Sequence, residues 1–529
     1  MYTNELWDEW VKIESANYQV AKTGKKQYLK KGYLHLDHRF WFPEKKNEIK
    51  EIVANNLQVK NPHTGYNQYY SFNPFLKILT KTPRYRYQFE EGHYDLETKI
   101  RPICLTSHKD SLILGFYSYC LTKKYEQYIR NNNFHDVVLA YRTDLGSCNI
   151  QFAKEVFDIV KKRKLCTAIA LDIKGYFDNI DHELLLEKWQ KIWGGRLPQD
   201  QKKLYNVLTE FTYINQTSLL KKYKGKKERN TKMPLALMDI VPGRDINAKF
   251  KQLKKDDLLV KNNQPTKIGK TAGIPQGSPI SALLSNIFLI DFDSDIKQKS
   301  IEEGFEYRRY CDDLLIICDH DKAFNLMNWI VEKIKNVYFL TIQPSKVDMI
   351  DFQNNSSGAI RAFRRSRKKV IQNGSKVESF AQLPSKITAA NESKLQKPLQ
   401  YLGFDYNGKN ILIRSSSLSR FFWRLNNRLQ KTVIMAYSPK SVSDKIFMKQ
   451  IYERYSHIGT RNFLSYAFKA SKDSYEENGK IKKGMASPAI RKQIKKHFLL
   501  LHGLMQEKNQ KWYSYKIKNS KKKVSLKIV

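Results

Sequence analysis

The stretch EYRRYCDDLLIIC, residues 306–318, sets two strand-like runs on either side of adjacent carboxylates, Asp312 and Asp313. It reads as a hairpin with the acids at its turn. Like charges side by side repel, and burying them is unfavourable unless a cation neutralises the pair, so two aspartates at a strand turn point to a divalent metal. Taken alone, the same pattern also fits an exposed turn that happens to carry two aspartates.

Working outward, LDIKGYFDNIDH (171–182) carries Asp172 where an apolar strand ends. A lone strand-end aspartate is often a cap or turn former. Together with Asp312 and Asp313 it supplies the third carboxylate that two-metal activation of a hydroxyl would use. Between these segments lies TAGIPQGSPISALLSNIFLIDFD (271–293), a Pro-Gln-Gly-Ser-Pro turn running into a helix that begins near Ile280. Gly277 allows close backbone approach, the helix start offers amides to an anion, and the small Ser281, Ala282 and Ser285 leave room for a strand beside it.

The periodicity around these segments predicts an N-terminal extension (1–94) ending in a β-hairpin, with PRYRYQFEEGHYDLETKIRPICL (83–105) alternating as strands do. It predicts helices over 111–129 and over 149–160, the latter capped by Ser147, then a buried strand from Thr167 and a helix from Glu183 to Trp193. Residues 220–270 (LKKYKGKKERNTKM within them) read as an insertion or mobile basic loop, and 352–398 read similarly. The segment 411–529 is mainly helical and strongly basic, with 27 Lys and Arg against 6 Asp and Glu, and its closing NSKKKVSLKIV reads as a flexible tail.

The 529 residues carry 94 Lys and Arg against 52 Asp and Glu, a formal charge of +42 that favours a polyanionic partner. A lysine-rich genome would also give a basic protein, so charge alone does not decide. Six cysteines show no CxxC spacing, which argues against a zinc ribbon or a secreted disulfide framework. The N-terminus lacks a signal-peptide core and no apolar run approaches a membrane span, so the expectation is a cytoplasmic protein with no membrane partner.

The three motifs, in this order and spacing, resemble the palm of a reverse transcriptase: LDIKGYFDNIDH its motif A, GIPQGSPISALLSN its motif B, YCDD its motif C. RPICL (101–105) and AYRTDLGS (140–147) resemble segments of its fingers, LTIQPSKVDMI (340–350) its motif D, and QYLGFDYNGKNI (400–411) its motif E. The resemblance covers roughly residues 95–425. It implies an α+β right-hand polymerase fold with fingers and a mixed α/β palm over 95–351, motif E within 352–410, and a helical basic thumb over 411–529. It further implies two Mg²⁺ ions, with Mn²⁺ as a substitute, held by Asp172, Asp312, the Ile173 carbonyl and, more weakly, Asp313. Arg101 would hold the incoming triphosphate, Gln276 and Gly277 the nascent base pair, and Lys346 would protonate the departing pyrophosphate.

Viral RNA-dependent RNA polymerases usually carry another aspartate five residues after the motif A aspartate. Here that residue is Phe177, whose ring would clash with a ribose 2′-hydroxyl and favour deoxynucleotides; packing beside Tyr176 is the alternative role.

The segments KKGYLHLDHRFWF (30–42), DSLILGFYSYCLTKKYEQYI (110–129) and LAYRTDLGS (139–147) resemble the bacterial unknown-group and abortive-infection reverse transcriptases, which include defence-associated enzymes. Motif E is not followed by the VTG of retron enzymes, and neither a Cys-rich endonuclease module nor an RNase H-like domain is visible. The expectation is RNA-directed DNA synthesis in bacterial antiphage defence with a noncoding RNA or RNA template, a DNA product and self-association left open. A mobile-element or intron enzyme without endonuclease, and an RNA-binding scaffold with a silent palm, are the alternatives.

Overall fold

The computed structural model describes every residue except 1, 22, 25, 31, 62–63, 89–92, 143, 225–235, 263–270, 373–374, 385, 439–445 and 526–529. Helices and strands are mixed, and the largest sheet has five strands in the order Glu306–Tyr310, Asp313–Cys318, Cys166–Asp172, Asp348–Asn354, Ile360–Arg364. The chain divides into two compact units, 1–144 with 171–314 and 327–346, and 145–170 with 315–326 and 347–529.

In the first unit, aromatic side chains tie the N-terminal residues to the long helix His108–Asn131. Trp7 and Trp10 on the helix Asn4–Ser15 meet Phe116 with centroids 5.6 and 5.7 Å away, and Trp10 also meets Phe42. Full burial of each such ring is worth about 2–3 kcal/mol. The alternating segment forms the expected hairpin, Phe75–Gln88 against His93–Leu105, in antiparallel register with Thr80 opposite Arg101.

The segment 220–270, expected as an insertion or a mobile basic loop, holds regular elements where it is described. Helices Gln216–Lys224 and Ile246–Lys255 and the strand Leu259–Lys261 surround a small core of Leu219, Leu237, Met238, Val241 and Leu253 with Leu36, Leu76 and Ile214. The apolar residues are few and far apart along the chain, so no single window shows periodicity; they are brought together only by partners outside the segment. Residues 225–235 and 263–270 of that expectation lie outside the described residues.

The second unit has its own core, in which Val156, Phe157 and Val160 of the helix Asn149–Arg163 pack with Leu315, Ile317, Phe352, Phe404 and Tyr406. That helix is capped at Cys148 rather than Ser147: the Gln151 carboxamide oxygen accepts from the Cys148 amide at 3.0 Å, while the Ser147 hydroxyl donates to the Leu145 carbonyl. Residues 352–398 are also more regular than expected. Phe352–Asn354 complete one strand, Ile360–Arg364 form the next, and Arg367–Gln372 pairs with Ser375–Phe380.

Residues 399–413 make three short antiparallel strands. After them come the helices Ser415–Ala436, Lys449–Tyr455, Phe463–Ser471, Pro488–Ile494 and His497–Ser525, with one hairpin, Ser474–Glu477 against Lys480–Lys483. The final helix takes in residues read as tail up to Ser525; 526–529 lie outside the described residues. All six cysteines are free thiols. Among the described residues no helix is long and apolar enough to cross a membrane.

Candidate active site

The strand Cys166–Asp172 delivers Asp172 at its end, and the backbone beyond it is pinned to both neighbours. The Ile173 amide donates to the Asp312 carbonyl at 3.0 Å, and the Gln343 amide donates to the Asp172 carbonyl at 2.7 Å. These bonds bring the ends of the segments carrying Asp172, Asp312 and Lys346 together within the first unit. Lys346, in the short turn Pro344–Lys346, forms an ion pair with the Asp172 carboxylate. Ile173 is fully buried.

The two acids follow a tight turn at Cys311, whose φ of 59° is left-handed, a conformation unfavourable by about 1–2 kcal/mol for a non-glycine residue. A buried scaffold holds that turn. Arg309, fully buried, donates to Asp293 through Nε at 2.8 Å, to the Asn286 side-chain oxygen at 3.2 Å and to the Cys311 carbonyl at 3.1 Å. Tyr307 donates to the same Asp293 at 2.9 Å, and Tyr141, itself at a φ of 60°, reaches the Cys311 Sγ at 3.6 Å. None of Arg309, Asp293, Asn286 or Tyr141 was legible as a site residue, although all four lie inside or beside segments that were.

The acids are compensated only in part. Removal from water and the neighbouring Asp172 raise the Asp312 carboxyl above its usual range. The same removal from water, then Asp312 and Asp172, push Asp313 up to about 7, with Lys346 pulling it back. Asp313 as a residue is exposed, so the chain packed around its carboxyl, rather than loss of all solvent contact, raises it.

These are donors that a divalent cation suits, because its charge would cancel the repulsion. Among the described residues no three or more His, Cys, Asp or Glu side chains converge as a ready-made metal cage.

The motif A and motif B segments are zipped together beside the acids. The Ile274 amide donates to the Phe177 carbonyl and the Gly273 amide to the Ile180 carbonyl, both at 2.9 Å, while the buried His182 Nε2 lies 2.8 Å from the Gly273 carbonyl. Phe177 is half-buried; its neighbour Tyr176 is the buried ring and donates to the Ser285 carbonyl. Gln276 is half-buried, and its carbonyl accepts from the Cys104 amide at 2.8 Å.

Gly277, at a φ of 120°, is crowded by protein: a Cβ there would lie 2.9 Å from Ile103 and 3.1 Å from the Cys104 carbonyl. The helix after the turn spans Ser281–Phe288, and its Ser281 amide is already taken by the Ser278 hydroxyl at 3.2 Å. Ser281 and Ser285 are buried, so their small size serves packing. Arg101 stands exposed on the hairpin.

Residues 95–406 match the reverse transcriptase (RNA-dependent DNA polymerase) family. The chain belongs to that family. Its members are nucleotidyltransferases that in general use divalent metal ions. Solved structures similar to the chain include apo telomerase from Candida tropicalis truncated from its C-terminal domain (11% identity, TM-score 0.35, covering 70% of this chain and 59% of that one). Telomerase from Candida albicans in complex with a fragment of telomeric RNA is another (12% identity, TM-score 0.33, covering 88% and 65%). The chain thus spans less than two thirds of the length of either telomerase. No curated protein matches the chain.

Proposed function

We propose that the chain is an active RNA-directed DNA polymerase that extends a 3′-hydroxyl with deoxynucleotides, using Asp172, Asp312 and Asp313 as its metal-binding carboxylates. The observation that carries this reading is the convergence of Asp172 with a turn whose two acids are raised in pKa by removal from water and by neighbouring carboxylates, Asp172 for Asp312 and both Asp312 and Asp172 for Asp313. Asp172, Asp312 and the Ile173 carbonyl would hold Mg²⁺, or Mn²⁺ in its place, with Asp313 a weaker second-site ligand. When bound, two such ions lower the pKa of the attacking hydroxyl and neutralise charge on the leaving group.

The remaining work falls to the chain's own residues. The primer 3′-oxygen forms a bond to the α-phosphorus as the bond to the bridging oxygen of pyrophosphate breaks. Lys346, whose ammonium pairs with the Asp172 carboxylate, would give that leaving oxygen a proton. Arg101 would neutralise the triphosphate, and Gln276 and Gly277 would shape the surface on which the new base pair forms. Phe177 would close the space beside the sugar against a 2′-hydroxyl. The basic segment 411–529 would track phosphates of an RNA or of the growing duplex.

The setting is proposed to be bacterial antiphage defence, with a dedicated noncoding RNA. Its support is the resemblance of residues 30–42, 110–129 and 139–147 to unknown-group and abortive-infection enzymes. Purified protein supplied with primed RNA and deoxynucleotides should incorporate label with Mg²⁺ and lose that activity in chelator. It should lose it also in the Asp312→Ala, Asp313→Ala double variant. Incorporation by that variant at the wild-type rate would refute the assignment, and sequencing the nucleic acid that copurifies from cells would test the dedicated RNA.

A further inference from the structure

Next to the paired motif A and motif B segments, the first unit holds a cavity of about 130 Å³. This is space for about four waters at their share of liquid volume, or for one planar base. Its wall includes Lys77, Asp178, Phe211, Tyr213, Asn262 and Gln276. Asp178 as a residue is exposed, yet partial removal from water holds its carboxyl above the usual range, and among the described residues only the charge of Lys77 offsets this. Cys104 lines the same cavity as Asp178, and its thiol is raised by burial and, to a lesser extent, by the Asp178 charge.

The other polar groups are partly committed. The Lys77 ammonium stands 4.2 Å over the Tyr213 ring, Lys261 is 3.4 Å from Glu210, and the Asn262 amide nitrogen donates to the Ala272 carbonyl at 3.2 Å. What remains is a carboxylate with two acceptor oxygens, aromatic walls and a nearby cation.

We propose that this cavity binds a single unpaired guanine base, its N1–H and N2–H donated to the two oxygens of Asp178, its O6 turned toward Lys77, and its ring against Phe211 and Tyr213. Guanine alone among the standard bases presents two adjacent donors. Adenine and cytosine put an acceptor beside their amino group, which a carboxylate repels, and uracil flanks its one donor with acceptors. Aromatic walls with lysines beside them are what single-stranded nucleic acid uses for stacking and phosphate contact. The site deepens the polymerase reading by giving the chain a preference for what lies unpaired in the strand it handles. Free guanine nucleotide offers the same edge.

Full-length protein is titrated with a labelled short RNA holding one guanine among uridines, and with sister RNAs carrying inosine or adenine there. GMP and AMP serve as competitors. The wild type should bind the guanine RNA about ten- to a hundredfold more tightly than the adenine RNA, with inosine, which lacks the N2 amino group, between them. Asp178→Asn should bring the three within about twofold. Competition by GMP but not AMP identifies the free nucleotide as an occupant, whereas a guanine preference untouched by GMP identifies a base within a strand. Equal wild-type binding of the guanine and adenine RNAs, or a preference that survives Asp178→Asn, overturns the proposal. Should Asp178→Asn not fold, the wild-type guanine and inosine comparison decides it. Binding is read separately from synthesis, so an inactive protein that keeps the preference counts against the polymerase reading alone, and an active one without it counts against the pocket alone.

Discussion

Two groups of acids in this molecule are treated in opposite ways. In the second unit Asp351 is buried, and removal from water pushes its carboxyl up, but hydrogen bonds from His320, Arg365 and Thr167 together with the Arg365 charge hold it below the usual range. Arg365 Nε donates to both of its oxygens at 3.0 and 2.9 Å, and the Thr167 hydroxyl donates at 2.6 Å. At the turn in the first unit, Lys346 pairs with Asp172 and offsets the repulsion only in part, so that Asp312 and Asp313 are raised instead. A satisfied acid serves the fold; a pair left repelling is unfavourable for the fold and suited to chemistry.

Arg365 carries the largest expected effect. Arg365→Ala leaves the Asp351 charge buried without its main partner, and the loss should be about 3–5 kcal/mol of unfolding free energy, read from urea melts. A loss below about 1 kcal/mol would make the Asp351 cluster as poorly satisfied as the turn and erase the contrast. Lys346→Ala should have little effect on such melts, because its ion pair is partly exposed. It should slow single-turnover incorporation about a hundredfold, the low end for loss of a general acid. Unchanged rates would remove Lys346 from proton transfer. Phe177→Ala should shift the kcat/KM ratio of ribonucleotide to deoxynucleotide toward ribonucleotide by about ten- to two-hundredfold. A ratio that stays put would leave the half-buried ring a packing role.

The candidate carboxylates were legible because each interrupts an apolar strand within a few residues: Asp172 after TAIAL, Asp312 and Asp313 before LLIIC. The hairpin was legible over 83–105, where residues alternate as strands do, while its first residues from Phe75 were not. What holds the turn was not. Arg309 reads as one more cation in a basic chain until Asp293, sixteen residues upstream on another element, and Asn286 close around it. The order within 216–261 escaped for the same reason, since its core borrows Leu36 and Leu76 from the N-terminal region. Gly277 was legible as a glycine in need of space, but the neighbour that requires it is the Ile103–Cys104 strand.

Under the proposed function, the repulsion at the turn is maintained at the expense of stability because Asp312 serves catalysis. Asp312 has a folded pKa raised above its unfolded value, so the folded state binds more protons between the two values, and stability falls as pH rises through that interval. Above it the ionised acid destabilises the fold. The direct test is therefore thermal melting of Asp312→Asn beside wild type in chelator at pH 7.5 and at pH 4, with incorporation measured on the same samples in Mg²⁺. The variant should lack synthesis and melt higher than wild type at pH 7.5, with the gap narrowing at pH 4. A variant that melts at or below the wild-type temperature at pH 7.5, or one that still synthesises DNA, would contradict it.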